Sequence, residues 1–570
     1  MIIKDLYQLY KSSNKKNLSI FYLFFIIAFF ILFLEFFSTA FLIGILLKLI
    51  NNDTVIFNND YLYNIEIFLK NLSLYKISLY TICIFAAKNI LLLLFKYWQM
   101  KYSFGFQKDL SASLLKKICI SDILEFQNDN SALKLRNIYT EVGWVRKLLT
   151  QVADLITEVF IIIGIISILI FYDPMFVLIS ILFFSVTIGL MYLTFFRKNQ
   201  KWSEERIDLS GKLILNILQS LSSIKEIKIF RKIEKTVDYF QKNYTKYIKN
   251  AITHGLVKNA SKPWIETLTI IFIFLIINFF LLRGVAQEEI ISKLGIFFIC
   301  IIRIMPSMLK VYNIVYTINF LKNSVALIKN ELVDDEIYIS EVQKERTENK
   351  EIKIQKVNVK NLSYKYPNTT KNVLNDLNFE FQKGMINTIT GGSGTGKTTL
   401  LNIILGLLKI EQREIFVNNI NFTNKKLYEN LNIGYVPQSI FLFDDTISNN
   451  ISFIDESPNI KEKLEKASHQ AEILNFVESL PDKFEHRIGE KASKISGGQM
   501  QRIGLARALY PNPDVIILDE FTSSVDMETE KKLMNTLQKL KKDKLIIIIS
   551  HREQTIKSSD NIINLTNEKI

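Results

Sequence analysis

The stretch MINTITGGSGTGKTTLLNIILGLL, residues 385–408, predicts a short buried strand, a glycine-rich loop and a helix. Its centre matches G-x-x-x-x-G-K-[ST], in which glycines permit a tight loop whose backbone N–H groups cradle phosphate. The candidate nucleotide-binding residues of the loop are Gly391, Gly392, Ser393, Gly394, Thr395, Gly396, Lys397, Thr398 and Thr399. Lys397 would reach the outer phosphates and Thr398 would supply an oxygen to Mg²⁺. The loop therefore predicts a nucleoside triphosphate site in an α/β domain.

Two carboxylates, Asp519 and Glu520, end a second apolar strand with the sequence VIILDE. The first suits Mg²⁺ held through water, and the second is placed to polarise an attacking water, because phosphoryl transfer chiefly needs positioning and charge stabilisation. Paired acids at a strand end are ordinary in themselves. In a chain with a phosphate loop they favour hydrolysis, with Glu520 as a catalytic residue.

The stretch ISGGQMQR, residues 495–502, predicts the start of a helix that can bind an anion. A serine hydroxyl, free backbone N–H groups and the positive end of the helix dipole meet there. Its candidate anion-binding residues are Ser496, Gly497, Gly498 and Gln499. The chain thus holds one complete phosphate site and a second, incomplete one.

Composition divides the 570 residues into a membrane part and a soluble part. Hydrophobic residues make up 49%, including 42 Phe, which is high for a soluble protein, whereas 22% charged residues is high for a pure membrane bundle. The net charge of +14 fits Lys and Arg in cytoplasmic loops, so no nucleic-acid partner is expected. The three cysteines show no metal-ligand spacing.

Six apolar runs reach the length of about 20 residues that spans a bilayer as a helix. They are Leu18–Leu47, Ile77–Phe95, Val152–Tyr172, Pro174–Phe196, Trp264–Leu282 and Leu294–Tyr316. The intervening segments 96–147 and 197–262 are rich in basic residues, which predicts that they are cytoplasmic. Apolar residues at helical spacing, such as Leu110, Leu114 and Ile118, indicate that the spans continue into the cytoplasm as helices.

Between the first two spans, Tyr61–Tyr75 has helical apolar spacing and predicts either an amphipathic helix at the outer interface or a plain surface helix. Residues 331–351 are charged and lack an apolar period, which is typical of a linker. From residue 352 onward, short β-rich runs alternate with helical ones, which is typical of an α/β nucleotide-binding domain. The predicted domains are therefore a membrane domain at 1–330, a linker at 331–351 and a nucleotide-binding domain at 352–570.

The phosphate loop together with ISGGQ resembles the ATP-binding cassette (ABC) superfamily, with Ile495 in place of the usual Leu. The resemblance implies that Tyr366 stacks on adenine and that Gln438 senses Mg²⁺. It also implies that His551 contacts the γ-phosphate, that Lys397 acts in catalysis, and that Asp526 belongs to the loop linking two ATP sites. In RIGEKASKISGGQ, Ala492 and Ser493 replace glycines that are usual in exporters.

Six spans followed by one cassette resemble an exporter half-transporter, and this fixes the predicted fold class. It is a multidomain protein with an all-α six-span transmembrane domain and an α/β P-loop cassette. The resemblance implies a head-to-tail dimer that binds ATP, with Mg²⁺, between Lys397 of one subunit and Ser496 of the other. Because every catalytic element is present in one chain, a homodimer is the simplest assembly. It also implies coupling helices at Ser121–Asn130 and Ser220–Phe230 and an inner-membrane location with the N-terminus and cassette cytoplasmic.

Charged residues within the spans are candidates for the substrate cavity, because such residues are rare in membrane helices. The candidates are Glu35, Lys88, Arg303 and Lys310, and Glu266 is a further intramembrane acid. Arg303 and Lys310 lie almost two turns apart, and therefore on one helix face. Either these charges pair internally or snorkel, or they line a cavity for an anionic headgroup such as a lipid phosphate or pyrophosphate.

The FLEFF stretch, Tyr61–Tyr75, Lys88 and RIMPSMLK together resemble the bacterial flippase of lipid-linked oligosaccharides used in protein N-glycosylation. This implies an amphipathic polyprenyl-pyrophosphate-linked oligosaccharide as the substrate. Other exporters of multidrug, lipid A or peptide type share the cassette motifs, so they are alternatives. An ATP-regulated channel or regulatory subunit is an alternative of another class, and it would predict loss of Glu520 or His551, which are both present.

Overall fold

The computed structural model describes residues 2–13, 19–49, 72–172, 174–282, 284, 287–333, 354–367, 369–410, 415–418, 420–421, 432–489, 495–522 and 525–565. The chain divides into two compact units. The first comprises Met1–Ser121 and Glu125–Ser340, and the second comprises Asp122–Leu124 and Glu341–Ile570. The first unit is helical and the second is α/β, in agreement with the predicted fold class.

The helices of the N-terminal 340 residues are α1 (Ile2–Ser13), α2 (Ser19–Leu49), α3 (Leu74–Ile120), α4 (Ile123–Asn128), α5 (Ser131–Leu135), α6 (Val142–Tyr172), α7 (Pro174–Ser222), α8 (Ile224–Ile229), α9 (Ile233–Leu282) and α10 (Gln287–Val333). A π-helical segment, Arg136–Glu141, joins α5 to α6. Helices α4 and α8 fall within the two stretches predicted as coupling helices.

Five helices among the described residues are long and apolar enough to cross a membrane. They lie in Ile26–Ile45, Leu74–Ile120, Ser131–Ile170, Ile233–Leu282 and Gly295–Leu332. The predicted span Pro174–Phe196 falls on α7, where the described apolar stretch is Val177–Val186. Helices α3, α9 and α10 have 47, 50 and 47 residues. They are more than twice the length that a bilayer needs, which agrees with the predicted helical extensions.

A buried polar joint connects these helices beyond the apolar spans. The Arg206 guanidinium of α7 donates to both carboxylate oxygens of Glu141 at 3.0 and 2.9 Å, and to Ser324 Oγ of α10 at 2.7 Å. Both ionic side chains are almost fully buried. Because a bidentate guanidinium–carboxylate pair fixes distance and angle together, the joint sets how α6, α7 and α10 pack.

Helix α1 was not predicted from the sequence. Its buried residues Leu6 and Leu9 lie three positions apart, and Asp5 accepts a hydrogen bond from Lys329 Nζ of α10 at 2.7 Å. The spacing of apolar residues on one helix face could have indicated this helix.

The strands of the second unit are β1 (Lys356–Tyr364), β2 (Leu374–Gln382), β3 (Ile386–Thr390), β4 (Ile415–Val417), β5 (Ile420–Asn421), β6 (Ile433–Val436), β7 (Val515–Asp519), β8 (Leu545–Ile549) and β9 (Asn561–Asn564). One sheet has the antiparallel order β2-β1-β4-β5, and the other has the parallel order β6-β7-β8-β3-β9. Every residue of β7 and β8 is buried, as expected for parallel strands covered on both faces. The carboxyl ends of β3, β7 and β8 meet at one edge of this sheet, where ligands bind in open α/β folds.

The helices of the second unit are α11 (Lys397–Ile404), α12 (Ile447–Ser452), α13 (Ile460–Gln470), α14 (Leu474–Ser479), α15 (Gly497–Leu509), α16 (Met527–Leu540) and α17 (Glu553–Lys557). Helix α11 follows β3 directly through the phosphate loop, and α16 follows β7. The site residues are thus carried on short connections after buried strands.

Some predicted features lie outside the described residues. These are Tyr61–Asn71 of the outer amphipathic segment, residues 334–351 of the linker, and Ala492 and Ser493 before the second anion site. Helix α10 extends to Val333, so the first residues of the predicted linker are helical.

Candidate active site

The phosphate loop between β3 and α11 has the glycine-dependent backbone that its sequence predicts. Gly396 has φ +91°, and a Cβ added there would lie 2.5 Å from Leu374 Cδ2. At Gly391 an added Cβ would lie 2.5 Å from the Leu565 carbonyl oxygen. Larger residues would be excluded at both positions by steric contact. The loop is therefore held close against its neighbours, with Ser393 and Gly394 exposed.

Lys397 lies folded back over the phosphate loop. Its Nζ donates to the carbonyl oxygens of Gly391 and Gly392 at 2.8 and 2.7 Å. Thr398 is exposed at the first turn of α11, whereas Thr399 is buried and its Oγ1 lies 3.1 Å from the Tyr366 hydroxyl. The predicted adenine-stacking residue and the start of α11 are thus brought together, and the Lys397 ammonium is held by carbonyls of the loop.

Glu520 contacts two groups that the sequence predicted separately, Gln438 and His551. Its Oε2 accepts a hydrogen bond from Gln438 Nε2 at 2.8 Å, and its Oε1 lies 3.5 Å from His551 Nε2. Its backbone has φ +46° and its N–H donates to the Ile549 carbonyl at 3.0 Å. A non-glycine residue in the left-handed region is strained, and such strain is common where a catalytic side chain must be held in one direction.

The Asp519 carboxyl is buried next to Glu520 at the end of β7. Burial raises its pKa above the ordinary value, Glu520 raises it further, and the Lys397 ammonium opposes both. Burial and the charge of Asp519 also raise the pKa of Tyr435 to about 12. A carboxylate, a hydroxyl and an amide oxygen, as Asp519, Thr398 and Gln438 carry, are donors of the type that suits Mg²⁺.

Replacing Asp519 by asparagine is expected to raise the Tm of the purified chain at pH 8. A carboxyl whose pKa is raised on folding stabilises the fold while it is protonated. That contribution is lost as pH rises from 3.8 through the raised pKa. Asparagine is neutral throughout, so the difference in Tm should disappear in acid. Each kcal/mol corresponds to about 2–4 °C in a domain of this size.

Asp445→Asn is the matched control, because it should shift Tm in the opposite direction. Hydrogen bonds from the Thr446 N–H and the Asn449 amide, at 2.8 and 2.9 Å, lower the pKa of Asp445. Asparagine accepts such bonds less well than a carboxylate. An unchanged or lower Tm for Asp519→Asn at pH 8 would contradict the assigned burial effect.

The second anion site is an exposed helix start with a complete capping box. Ser496 Oγ accepts from the Gln499 N–H at 3.3 Å, and Gln499 Oε1 accepts from the Ser496 N–H at 2.8 Å. Gly497 and Gly498 form the first turn of α15, a helix of 13 residues. The serine hydroxyl and the helix start are presented on the surface of the second unit.

Asp526 caps α16, and its Oδ2 accepts from the Thr529 N–H at 2.9 Å. This bond lowers the pKa of the Asp526 carboxyl. Sequence reasoning missed the buried Glu530 of the same helix, which contacts Arg552 and accepts from Thr555 Oγ1 at 2.9 Å. Arg552 directly follows His551 in the sequence, and this adjacency could have indicated that Arg552 and its partner lie near the site.

The intramembrane charges are brought together in two groups of the first unit. Glu35 accepts from Lys88 Nζ and from Arg303 Nη1, each at 2.7 Å, and both cations lie against the Phe85 ring. Glu35, Lys88 and Arg303 side chains are 3%, 8% and 17% exposed. The internal pairing that the sequence left open is therefore present at this cluster.

Lys310 belongs to the second group, and its Nζ donates to Glu158 Oε1 of α6 at 2.7 Å. The Lys310 side chain is 63% exposed, whereas that of Glu158 is 10% exposed. Sequence reasoning missed Glu158, although a carboxylate within the span Val152–Tyr172 was visible. Glu266 lies 3.9 Å from Lys262 in an exposed pair on α9.

Two family descriptions match the chain. The "ABC transporter transmembrane region" matches residues 21–309, and "ABC transporter" matches residues 374–523. The "ATP-dependent lipid A-core flippase" of Wigglesworthia glossinidia brevipalpis is 30% identical over 408 residues, which cover 68% of this chain and 67% of that protein. The protein of the same name from Haemophilus influenzae (strain ATCC 51907 / DSM 11121 / KW20 / Rd) is 38% identical over 213 residues, covering 37% of this chain and 36% of that protein.

A solved structure titled "Structure of a bacterial Atm1-family ABC exporter with ATP bound" matches with a TM-score of 0.73. The match covers 94% of this chain and 93% of that chain at 20% sequence identity. At this identity the likeness concerns the fold, and it extends over both units.

Proposed function

The chain belongs to the ABC transporter family, and on that premise we propose that it is an ATP-driven exporter that flips an amphipathic lipid across the cytoplasmic membrane. The observation that carries this proposal is the grouping of Glu520 with Gln438 and His551 at the sheet edge that also carries the phosphate loop. A regulatory subunit without hydrolysis has no need of this arrangement. The long apolar helices of the first unit supply the membrane path.

ATP hydrolysis needs one group that accepts a proton and others that hold the phosphates. Glu520 would orient and deprotonate the attacking water, and His551, whose Nε2 lies 3.5 Å from Glu520 Oε1, would contact the γ-phosphate. Lys397 leaves the loop carbonyls to bind phosphate oxygens. Thr398, Gln438 and, through water, Asp519 would hold Mg²⁺, which would supply positive charge to the phosphates.

The exposed start of α15 would complete an ATP site only when two copies of the chain assemble. Ser496 and the free N–H groups of this helix can bind the phosphates of an ATP held by a second copy of the chain. Since one chain carries both halves, a head-to-tail homodimer with two equal sites is the simplest assembly. The cassettes and the N-terminus are then cytoplasmic, where ATP is supplied.

A lipid of the lipid A class is the favoured cargo. The aligned relatives are named lipid A-core flippases, and this supports the lipid A alternative better than the polyprenyl-pyrophosphate oligosaccharide that the sequence favoured. The pairing of Lys88 and Arg303 with Glu35 also reduces the charge available for a pyrophosphate. The exposed ammonium of Lys310 remains accessible to a headgroup phosphate.

Reconstituted protein is expected to flip lipid A in an ATP-dependent manner and to raise its ATPase rate when lipid A is present. Exchanging Lys310 for glutamine should lower the flipping rate by roughly tenfold, the effect of about 1.4 kcal/mol of lost contact. Basal ATPase should fall much less. Flipping and ATPase are measured in the same liposomes.

Lys242→Gln serves as the control, because this lysine is exposed on the cytoplasmic part of α9. A parallel assay with a polyprenyl-pyrophosphate oligosaccharide distinguishes the two cargo classes. Equal loss of flipping and basal ATPase in the Lys310 variant would assign this residue a structural role. Stimulation by the oligosaccharide alone would reject the lipid A class.

A further inference from the structure

Glu530 places a carboxylate at a core position of α16. The buried residues of this helix are Glu530, Leu533, Met534 and Leu537, which is the spacing of one inward-facing side. Glu530 is only 1% exposed. A leucine would suit this position, because apolar side chains often stabilise a fold as well as a buried ion pair does. The carboxylate therefore points to a role beyond stability.

Both oxygens of this carboxylate are held by the segment that follows His551. Oε2 contacts the Arg552 guanidinium, and Oε1 accepts a hydrogen bond from Thr555 Oγ1 at 2.9 Å. Thr555 is fully buried on α17. Charge-assisted hydrogen bonds to both oxygens give the partners a defined geometry. Glu530 therefore fixes the start of α17 and the residue next to His551.

The backbone on the other side of His551 is fixed by the parallel sheet. Ser550 is buried, and its N–H donates to the Ile389 carbonyl oxygen of β3 at 3.3 Å. Its Oγ accepts a hydrogen bond from the Arg552 N–H at 3.1 Å. The backbone of His551 therefore lies between an anchor on β3 and an anchor on Glu530.

The same two residues also reach the connection that leads into α16. Arg552 Nη1 donates to the Val525 carbonyl oxygen at 3.3 Å, and the Glu530 N–H donates to the Asp526 carbonyl oxygen at 2.9 Å. Asp526 caps α16 through the Thr529 N–H. One ion pair of the second unit therefore joins the segment after β8 to the segment before α16.

We propose that Glu530 is a positioning residue for ATP hydrolysis, which holds His551 against Glu520 by way of Arg552. Its carboxylate is buried, so it acts through the guanidinium rather than on ATP itself. Without that charge Arg552 is held only weakly, and the His551 imidazole can leave its place 3.5 Å from Glu520. The inference rests on the proposed function, because it presumes that Glu520 and His551 act in hydrolysis.

The test measures kcat and KM for ATP on the purified full-length chain. Glu530→Gln should lower kcat by roughly tenfold, because a neutral amide holds the guanidinium less well than a carboxylate does. KM should stay within about twofold, since the contacts that bind ATP are unchanged. Glu528→Gln makes the same change on α16 at a side chain that is 80% exposed, and it should alter neither value.

A double-mutant cycle tests whether Glu530 acts through the histidine. His551→Ala alone should lower kcat by roughly 10²-fold, the effect of removing one donor to a reacting group. Adding Glu530→Gln should then lower the residual rate no further, because residues that act through one group are not additive. A carboxylate that merely stabilises the fold would lower kcat by the same factor in both backgrounds.

Glu530→Leu combined with Arg552→Met separates positioning from folding. Two apolar side chains should keep Tm close to that of the unmodified chain, as is common when a buried ion pair is replaced. The value of kcat should nevertheless fall by roughly tenfold, since His551 loses its anchor on α16.

An unchanged kcat for Glu530→Gln would overturn the inference, as would an equal loss with and without His551. Full kcat in the Glu530→Leu/Arg552→Met variant would assign the pair to folding alone and overturn it as well. The proposed function is judged by His551→Ala itself, because hydrolysis at the normal rate would reject the role given to His551. A loss with His551→Ala but not with Glu530→Gln would reject the inference and leave the proposed function standing.

Discussion

Glu520→Gln is expected to lower the rate of ATP hydrolysis by about 10²–10⁴-fold, the contribution usual for a general base. Glutamine has the shape of glutamate but cannot take a proton from water. It can still pair with Gln438 and lie near His551, so the 2.8 Å and 3.5 Å contacts of the site are replaced rather than removed. ATP binding should therefore be retained, and hydrolysis and binding are measured separately on the purified chain.

Glu478→Gln is the matched control, because it makes the same chemical change at an exposed position of α14. It should leave hydrolysis and binding unchanged. Normal hydrolysis by Glu520→Gln would sink the assignment of the catalytic base. Loss of ATP binding in that variant would instead show that the carboxylate charge organises the loop.

The nucleotide site could be predicted from the sequence because its chemistry is local. Gly391 to Thr399 contains the loop and the start of α11 in nine consecutive residues, and their backbone geometry follows from the glycines. The position of His551 after a buried strand was also visible. Its distance to Glu520 was not, since it depends on how β7 and β8 pair in register.

There is a physical reason why the partners of the membrane charges could not be predicted from the sequence. Arg303 and Glu35 lie 268 positions apart, and Lys88 and Glu35 lie 53 apart, so only helix packing brings them together. The sequence showed that the cations needed a partner or a cavity, because unpaired charges in a membrane are costly. It left open which carboxylate would serve, and it did not single out Glu158.

Glu35→Ala is expected to destabilise the helical unit by about 3–5 kcal/mol, the effect of leaving a buried charge without its partner. Here one carboxylate is hydrogen-bonded to two cations on α3 and α10, so its removal leaves both Lys88 and Arg303 unpaired beside Phe85. A large fall in Tm and in the yield of folded protein should result. Thermal unfolding of the purified chain in detergent measures it.

Removing the two cations as well should rescue the Glu35→Ala variant. This separates the effect of unpaired charge from the effect of the space that the smaller side chain leaves. Glu35→Ala combined with Lys88→Met and Arg303→Met should recover most of the lost Tm, because no charge then lies unpaired. Glu266→Ala makes the same substitution in an exposed pair, where about 0–1 kcal/mol is at stake. If Glu35→Ala alone leaves Tm unchanged, water already solvates the two cations. They would then be available to a lipid phosphate, and the pairing with Glu35 would be the resting state of a headgroup site.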